Sequence, residues 1–302
     1  MPRGNTALRI PAATANLLAD YVIRDMGKRQ MTPELFYATL RKASTKVFGT
    51  RLSQKQVDVM NEMLLAGKEF RLSVAQEAYV LATAYHETNP PMVPSRESLY
   101  YTSAQRLQVV WPGRFPTARE AQPFVRNSKK LANHVYNGRL GNRPGTNDGW
   151  LFRGGGLDQL TGRRNYERMS DELGVDLLQN PDRILEPEIA VRSIMKGMIE
   201  GHYRGKKLAD YINETRTDYY NAREIVNADK RRVGRQVEQY AKAFEKALRA
   251  GGWSQGDGSV VEPSHTEVRP AAPVSGGEVA RALPRTDTRS LWQRLLDRIR
   301  RK

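Results

Sequence analysis

The sequence predicts a mainly α-helical protein, and three observations carry that prediction. Apolar residues recur at helical spacing in many segments of the chain. Runs in which β-branched residues alternate with polar ones, which predict strands, are few. Helix starts are marked by capping signals, as at Thr32 before Pro33 and at Ser53 with Gln56 three residues later. The expected molecule is therefore a set of helices joined by long loops.

Four helices are expected in the first part of the chain. Residues 10–30 have the apolar spacing of an amphipathic helix. A second helix begins at Thr32 and is expected to run as far as Val47, and a third follows Ser53. Residues 72–84 are apolar on most faces, which predicts a buried central helix.

The second half of the chain alternates between irregular and helical patterns. Residues 89–150 are rich in Pro, Gly and Asn, which predicts long loops joining short helices. Helical patterns return at residues 165–174, 187–201, 208–213, 219–227 and 231–250.

Composition and charge narrow the class of partners. Of 302 residues, 39% are hydrophobic and 27% charged, as in a globular protein, but the net charge is +16. Such a chain is attracted to nucleic acid, anionic lipid or phosphate-bearing wall polymers. Because the sequence lacks RNA-type aromatic and basic interleaving, helix-turn-helix and zinc-finger signatures, we expect no nucleic-acid partner.

Other classes are excluded by what the sequence lacks. Without cysteine there is no disulfide framework, thiolate zinc site or cysteine nucleophile. No apolar run reaches the roughly 18 residues of a membrane span. Pro11, Asn16 and Asp20 break the first apolar stretch, so we expect no signal peptide and synthesis in the cytoplasm. An extracytoplasmic substrate would then require another delivery route.

The composition changes at Gly251. Residues 251–284 are rich in Gly, Ser, Pro, Glu and Ala, which predicts a flexible linker. Residues 285–302 form an amphipathic pattern with seven basic and two acidic residues, which suits an anionic membrane surface or lipopolysaccharide. The alternative is a helix that packs on its own domain or on a partner. The predicted membrane-contact residues are Trp292, Arg294, Arg298, Arg300, Arg301 and Lys302.

Two glutamates indicate the chemistry. Glu87 ends the apolar stretch of the central helix, and Glu97 follows ten positions later. Between them, Pro90 and Pro91 cannot continue a helix, so the two carboxylates lie on different elements. Hydrolysis of a glycosidic bond needs one protonated carboxyl group to release the leaving oxygen and one ionised carboxylate to activate water or attack the sugar.

Metal and serine chemistry fit the sequence less well. His86 and Glu87 resemble the start of a metalloprotease motif, but the second histidine one turn later is absent and Pro90 breaks the turn. The remaining histidines are scattered, and no nucleophile elbow supports a serine triad. We therefore expect no metal and no cofactor.

A short stretch around three glycines is rich in groups that line sugar sites. Residues 154–156 are Gly-Gly-Gly, which permits close backbone approach but also fits an ordinary tight turn. Aromatic rings, amides and a hydroxyl surround them, in residues 148–153 and 157–166. Rings stack on pyranose faces, and amides hydrogen-bond to N-acetyl groups.

In combination, several segments resemble glycoside hydrolase family 19, the chitinase-like lysozymes, in the branch of phage endolysins and bacterial lytic enzymes. The similarity covers residues 51–248. It implies a lysozyme-like α-helical glycosidase domain with long loops and a two-lobed substrate cleft. The segments that carry it are residues 52–57, 79–88, 96–97, 131–136, 141–142, 152–166, 173–177, 180–182 and 225–227.

The resemblance also implies roles for individual residues. Glu87 is expected to be the general acid, Glu97 the general base and Thr161 the residue that helps hold the attacking water, in an inverting reaction. The expected substrate contacts are His86, Tyr136, Trp150, Gln159, Asn165, Tyr166 and Asn227.

The chain departs from the family pattern at three places. The usual Arg-Gly-Arg-Gly is Arg-Gly-Gly-Gly here, beginning at Arg153. Asp158 replaces an apolar residue, and Ala228 with Asp229 replaces the usual glycine after the late asparagine. The first two departures concern substrate contacts more than the carboxylate pair.

The expected organisation is a helical extension (residues 1–45), a catalytic domain (46–250), a linker (251–284) and a basic helix (285–302). The expected function is that of a monomeric, phage-encoded endolysin that is made in the host cytoplasm and cleaves β-1,4 bonds of peptidoglycan. One alternative is a chitinase acting on chitin oligomers. Another is a virion-associated protein that docks on virion proteins through its terminal extensions.

Overall fold

The computed structural model describes residues 31–88 and 91–254. The helix predicted over residues 10–30, the linker beyond residue 254 and the basic helix with its membrane-contact residues lie outside the described residues. Within the described residues the chain is mainly helical, with eleven α-helices and one hairpin whose two strands have two residues each. The predicted fold class is confirmed.

The helices follow one another along the chain with short 3₁₀ turns between them. The α-helices are α1 (Pro33–Leu40), α2 (Gln54–Glu69), α3 (Val74–Glu87), α4 (Ala104–Val110), α5 (Ala118–Ala121), α6 (Ser128–Tyr136), α7 (Asp148–Leu151), α8 (Arg163–Leu173), α9 (Pro187–Glu200), α10 (Tyr219–Ala222) and α11 (Lys230–Ala250). The 3₁₀ turns are Ala43–Thr45, Gln122–Phe124, Pro181–Leu185, Leu208–Asp210 and Arg223–Ile225. Strands β1 (Ile212–Asn213) and β2 (Arg216–Thr217) pair antiparallel.

Capping boxes fix the starts of the two helices before the first glutamate. The predicted box at Ser53 and Gln56 is present at the start of α2. A second box, which the sequence analysis did not identify, joins Ser73 and Gln76 at the start of α3. Each box satisfies two backbone N–H groups that would otherwise lack a partner at a helix N-terminus. The start of α3 therefore sets where its last residue, Glu87, lies.

Helix α3 is the buried centre of the largest core. Long helix α11 packs along it and also against α1, while α9 packs on α2. Tyr79 of α3 stacks on Tyr219 of α10 with ring centroids 5.9 Å apart. Phe36 of α1 and Phe244 of α11 are fully buried in the same cluster. The predicted central helix over residues 72–84 is thus present and lies in the middle of the core.

The described ends of the chain belong to this core. The N–H of Thr32 donates to the carbonyl of Gly251 at 2.8 Å. Phe36 and Leu40 are fully buried on one side of this junction, and Trp253 is nearly buried on the other. Residues 31–45 of the predicted extension and residues 251–254 of the predicted linker therefore pack with the catalytic domain, because their large apolar side chains fill its core.

Two smaller clusters hold the remaining elements. One is formed by α4 to α7 around Leu107, Phe115 and Leu131. The other joins the segment around Phe152 to α8 and to the turn Pro181–Leu185, whose Ile184 is buried. The segment around Phe152 therefore contacts both of these elements.

Two predicted helical segments end or fold differently. Helix α1 stops at Leu40 instead of reaching Val47, and the hydroxyl of Thr45 donates to the freed carbonyl of Leu40 at 2.9 Å. Residues 208–213 were predicted to be helical, which is wrong beyond the single 3₁₀ turn. Asn213 accepts hydrogen bonds from the backbone and hydroxyl of Thr215, each at 3.0 Å, and so turns the chain into the hairpin. Among the described residues, no helix has the length and apolar character needed to cross a bilayer.

Candidate active site

Glu87 is the last residue of α3, and the chain leaves the helix in an extended conformation at Thr88 (φ −105°, ψ 150°). The side chain is buried, with 3% of the residue exposed. Its Oε1 accepts a hydrogen bond from Nη1 of Arg223 at 2.5 Å. The sequence predicted an apolar helix end around this carboxyl group, whereas the structure places it in a buried ion pair.

Arg223 is shared between two carboxylates. It is 1% exposed, and its Nε donates to Oδ1 of Asp229 at 2.7 Å. Burial lowers the pKa of Arg223, but the charges of Glu87 and Asp229 outweigh it and leave that pKa above its ordinary value. Arg232, on the outer side, also contacts Asp229 at 3.1 Å. The buried part of the site thus holds one guanidinium between two carboxyl groups.

Sequence reasoning missed Arg223 and gave Asp229 no role. The available signal was a charged residue at an apolar position of a helical pattern, because Arg223 lies between buried Ala222 and Ile225. Buried charges are rare unless they are paired, so such a position points to a partner elsewhere in the fold. The identity of that partner depends on tertiary packing and has no local signature.

Several polar atoms around Glu87 are buried and lack a hydrogen-bond partner within the described ranges. They are Oε2 of Glu87, Nη2 of Arg223, Oη of Tyr79 and Nδ2 of Asn227. Burial of such atoms without partners is costly, so native structures usually bond them to water or a ligand. These buried donors and acceptors are groups that a water molecule or a ligand would satisfy.

Glu97 lies on the extended segment after the helix and is half-buried. Its backbone N–H donates to the carbonyl of Gly154 at 2.8 Å, and its own carbonyl accepts from Nε of Arg153 at 3.2 Å. The hydroxyl of Tyr136 lies 3.1 Å from Oε1 and 3.2 Å from Oε2 of Glu97. Both ends of the residue are therefore fixed by other elements.

The segment that holds Glu97, which we call the cleft strap (residues 153–161), is a short hairpin-like loop. Gly155 and Leu160 exchange two backbone hydrogen bonds, of 3.1 and 2.8 Å. Gln159 has a positive φ of 54°, and its Nε2 donates to the carbonyl of Ser95 at 3.0 Å. The strap is thus bonded to the Glu97 segment at both Ser95 and Glu97.

Thr161 ends the strap and is almost fully buried. Its hydroxyl donates to the carbonyl of Gln159 at 2.8 Å, and its own carbonyl accepts from Nδ2 of Asn165 at 2.7 Å. A hydroxyl that donates its proton within the protein keeps lone pairs that can accept from a water. The predicted role of Thr161 in holding the attacking water stays a prediction.

The glycine that replaces the family arginine, Gly155, makes room for another arginine. A Cβ at this position would lie 2.7 Å from the hydroxyl of Tyr166 and 2.9 Å from Nη1 of Arg96. Arg96 uses that space to donate to the hydroxyl of Tyr166 at 2.5 Å and to pair with Asp182 at 2.8 Å. The guanidinium of Arg96 therefore contacts Tyr166 and Asp182 and anchors the segment that carries Glu97.

Asp158, the other departure, points into the protein. It is buried, and its Oδ2 accepts hydrogen bonds from the hydroxyls of Ser193 (2.9 Å) and Tyr203 (3.1 Å). Burial raises the pKa of Asp158 to about 6, although these two hydrogen bonds act in the opposite direction. Asp158 therefore ties the strap to α9 and leaves the substrate contacts to other groups.

Two of the predicted sugar contacts are buried. Tyr166 has no exposed surface, and its hydroxyl donates to the carbonyl of Arg153 at 3.2 Å. Tyr136 is 2% exposed, and its hydroxyl is directed at Glu97. Burial argues against stacking of either ring on a pyranose, because a stacked ring needs an open face, and any other sugar contact of the two residues stays a prediction. Both tyrosines instead hold residues of the site.

The other predicted contacts remain accessible to different degrees. His86, Trp150, Gln159, Asn165 and Asn227 are all half-buried, so their sugar contacts stay predictions. Trp150 carries the guanidinium of Arg153 3.6 Å from its ring centroid, which links it to the strap. In the part of the chain that the structure describes, no group of three or more acidic or histidine side chains is arranged to hold a metal ion.

No protein-family model matches the chain. Part of it is similar to a curated protein of Haemophilus influenzae that is named a glycosyl hydrolase family 19 domain-containing protein. The two are 36% identical over 103 residues, which are 34% of this chain and 50% of the relative. The chain thus matches about half the length of this curated relative. The similarity supports membership of glycoside hydrolase family 19, the family that the sequence motifs resemble.

Proposed function

We propose that this protein is a glycoside hydrolase that cleaves β-1,4 bonds of peptidoglycan and acts as an endolysin. The observation that carries the proposal is the pair of carboxylates in unlike surroundings. Glu87 is buried beside Arg223, and half-buried Glu97 is held by the strap and by Tyr136. Hydrolysis by two carboxylates requires such a difference, since one must donate a proton and the other must accept one.

Glu87 is the proposed acid. The buried cluster contains one guanidinium, Arg223, and two carboxyl groups, Glu87 and Asp229. With a proton on Glu87, Arg223 keeps its ion pair with Asp229, so the cluster can hold that proton without leaving the buried guanidinium unpaired. Glu87 then gives the proton to the glycosidic oxygen as the bond to the anomeric carbon breaks.

Glu97 is the proposed base. As an ionised carboxylate it takes a proton from a water molecule, and the water oxygen attacks the anomeric carbon from the face opposite the leaving group. Thr161, at the end of the strap, accepts a hydrogen bond from this water and orients it. The product has an inverted anomeric centre. Before the next cycle Glu97 releases its proton to solvent and Glu87 takes one up from solvent.

Peptidoglycan is the proposed polymer for two reasons. The motifs resemble the lytic branch of the family, and the net charge of +16 draws the protein to the anionic polymers of a bacterial envelope. In this proposal the basic residues 285–302 contact anionic membrane or lipopolysaccharide, and the enzyme acts on the wall after synthesis in the host cytoplasm.

Mass spectrometry of products from purified peptidoglycan and from chitin oligomers tests the substrate. The proposal expects disaccharide-peptide fragments with new reducing ends from peptidoglycan. If chitin oligomers are cleaved efficiently and peptidoglycan stays intact, the protein is a chitinase and the proposed substrate is wrong. Absence of cleavage of both polymers, with the protein present in purified virions, would favour the virion-associated alternative.

A further inference from the structure

The hydroxyl of Tyr136 contacts the carboxylate that the proposed function uses as the base. It lies 3.1 Å from Oε1 and 3.2 Å from Oε2 of Glu97. An ionised carboxylate only accepts hydrogen bonds, whereas a phenol donates one, so Tyr136 is the donor to ionised Glu97. A hydrogen bond to the charged form of a carboxyl group favours that form. The contact therefore promotes the charge state that a general base needs.

Tyr136 is itself held firmly. It is the last residue of α6, and its ring lies in the cluster that includes Leu131 and Val135. Its carbonyl accepts from Nδ2 of buried Asn142 at 3.1 Å. Oδ1 of Asn142 accepts from the backbone of Arg163 at 2.7 Å, at the start of α8. One buried amide thus connects Tyr136 to the residues that follow the strap.

Glu97 is consequently fixed from two sides. The strap holds its backbone through the carbonyl of Gly154 and the guanidinium of Arg153. Tyr136 holds its carboxylate from the cluster of α4 to α7. A carboxylate fixed at both ends keeps its oxygens in one orientation, which is the condition for proton transfer from a positioned water.

We propose that Tyr136 is a positioning residue, which holds the Glu97 carboxylate ionised and oriented for water activation and makes no contact with the sugar. The inference rests on the proposed function, in which Glu97 is the base. With only 2% of Tyr136 exposed, the ring offers no face on which a pyranose could stack. The role differs from a structural one because it acts on the charge state of another residue.

Replacement of the hydroxyl alone tests the role. Tyr136→Phe keeps the ring in its cluster and removes the hydrogen bond to Glu97. On the acid limb of the pH–rate profile we expect kcat to fall about tenfold, which is the effect of losing one hydrogen bond to a charged group. KM should not change, and the loss should shrink as the pH rises, because Glu97 then ionises without help.

Tyr37→Phe is the matched control. Tyr37 is also a buried tyrosine, and its hydroxyl donates to Asn61 at 2.7 Å in the main core. Its replacement removes a buried tyrosine hydrogen bond to a neutral group without touching the site, so the pH–rate profile should keep its shape. A loss in Tyr136→Phe that is equal at every pH would overturn the inference, since a purely structural defect gives that result.

A second measurement does not depend on turnover. The side-chain carboxyl ¹³C resonance of Glu97, assigned by its absence in Glu97→Gln, can be titrated in the full chain without substrate. It should titrate at higher pH in Tyr136→Phe than in the wild type. Identical titrations would overturn the inference while leaving the proposed function intact. A shifted titration in a protein that hydrolyses no glycan would instead sink the proposed function, and the catalytic role of Tyr136 with it.

Discussion

Glu87 and Glu97 have different neighbours, and their proposed roles rest on that difference. Glu87 lies beside a buried guanidinium that a second acid shares, and Glu97 receives a phenol hydroxyl on its carboxylate. The spacing of ten residues in the sequence identified the two acids but says nothing about their neighbours. Arg223 and Asp229 come close to Glu87 only when the chain folds.

Removal of the proposed acid is the first test at the residue scale. Glu87→Gln should lower kcat on purified peptidoglycan by roughly 10²- to 10⁴-fold, the usual contribution of general acid–base catalysis. The fold should persist because Arg223 keeps its pair with Asp229. Circular dichroism checks the fold, and Glu34→Gln on the exposed face of α1 is the control, which should leave kcat unchanged. Retained activity in Glu87→Gln would remove Glu87 from the mechanism.

Loss of the buried guanidinium should affect stability as well as activity. Arg223→Met leaves the buried carboxyl group of Glu87 without its partner and removes one of the two arginines that contact Asp229. We expect the free energy of unfolding to fall by about 3–5 kcal/mol, as when one partner of a buried ion pair is removed. Urea denaturation measures this change. Arg183→Met removes an exposed arginine paired with Glu186 and should leave the free energy of unfolding almost unchanged, because an exposed ion pair contributes little. Equal small losses in both variants would mean that the buried cluster contributes little.

At the scale of elements, local signals predicted helices well and the hairpin poorly. The start of α2 follows from Ser53 and Gln56, which satisfy each other across one turn. The start of α9 at Pro187 likewise agrees with a helical pattern. The strands near Asn213 are two residues long, and so short a pairing leaves no alternating pattern to recognise.

The strap shows how elements support the site. Its glycines allow close approach of Arg96 and Tyr166, and Asp158 joins it to α9. Sequence reasoning placed Asp158 in the cleft because it replaces an apolar residue next to sugar-binding positions. Its inward direction depends on the hydroxyls of Ser193 and Tyr203, which lie far away in the sequence.

A pH dependence of stability follows from Asp158. Its pKa is about 6 in the folded protein against an ordinary value of 3.8, so the folded state binds the proton more tightly than the unfolded chain. Its contribution is therefore fully present below pH 4 and is lost as the pH rises from about 4 to about 6.

Asp158→Asn should remove this loss. Relative to the wild type, the variant should gain about 2–3 kcal/mol in the free energy of unfolding between pH 4 and pH 6.5. Urea denaturation over this range gives the difference between the two proteins at each pH. Parallel curves would show that the Asp158 carboxyl group does not change its protonation in this interval.

At the scale of the whole molecule, the excess of positive charge concerns the partner more than the fold. Residues 285–302 contribute seven basic and two acidic residues to the net charge of +16. Charge of this kind strengthens attraction to anionic surfaces and leaves chemistry at the carboxylates unaffected. An experiment can therefore distinguish the predicted membrane role of this segment from catalysis.

Deletion of residues 291–302 tests that separation. Activity on purified peptidoglycan should stay within about twofold of the wild type, while lysis of intact cells should fall, because the basic and apolar residues that are proposed to bind anionic lipid are lost. A variant with glutamine at Arg294, Arg298, Arg300 and Arg301 isolates the charge. Equal losses on both substrates would indicate a folding role for the segment.

The composition and helical patterns sufficed to predict the fold class, and the terminal boundaries needed the structure. Trp253 lies in a stretch whose composition predicts a linker, yet it is buried in the main core beside the end of α11. A single large side chain in a region rich in glycine is a weak signal, and only the packing of the domain reveals its partners.

Hydrolysis of purified peptidoglycan in water enriched in ¹⁸O tests the central claim most directly. A two-carboxylate glycosidase adds the oxygen of water to the anomeric carbon, so mass spectrometry should find one ¹⁸O at each new reducing-end sugar. Glu87→Gln should form these labelled ends roughly 10²- to 10⁴-fold more slowly. Fragments that end in anhydro sugars without the label, or label confined to newly freed peptide carboxyl groups, would contradict the account.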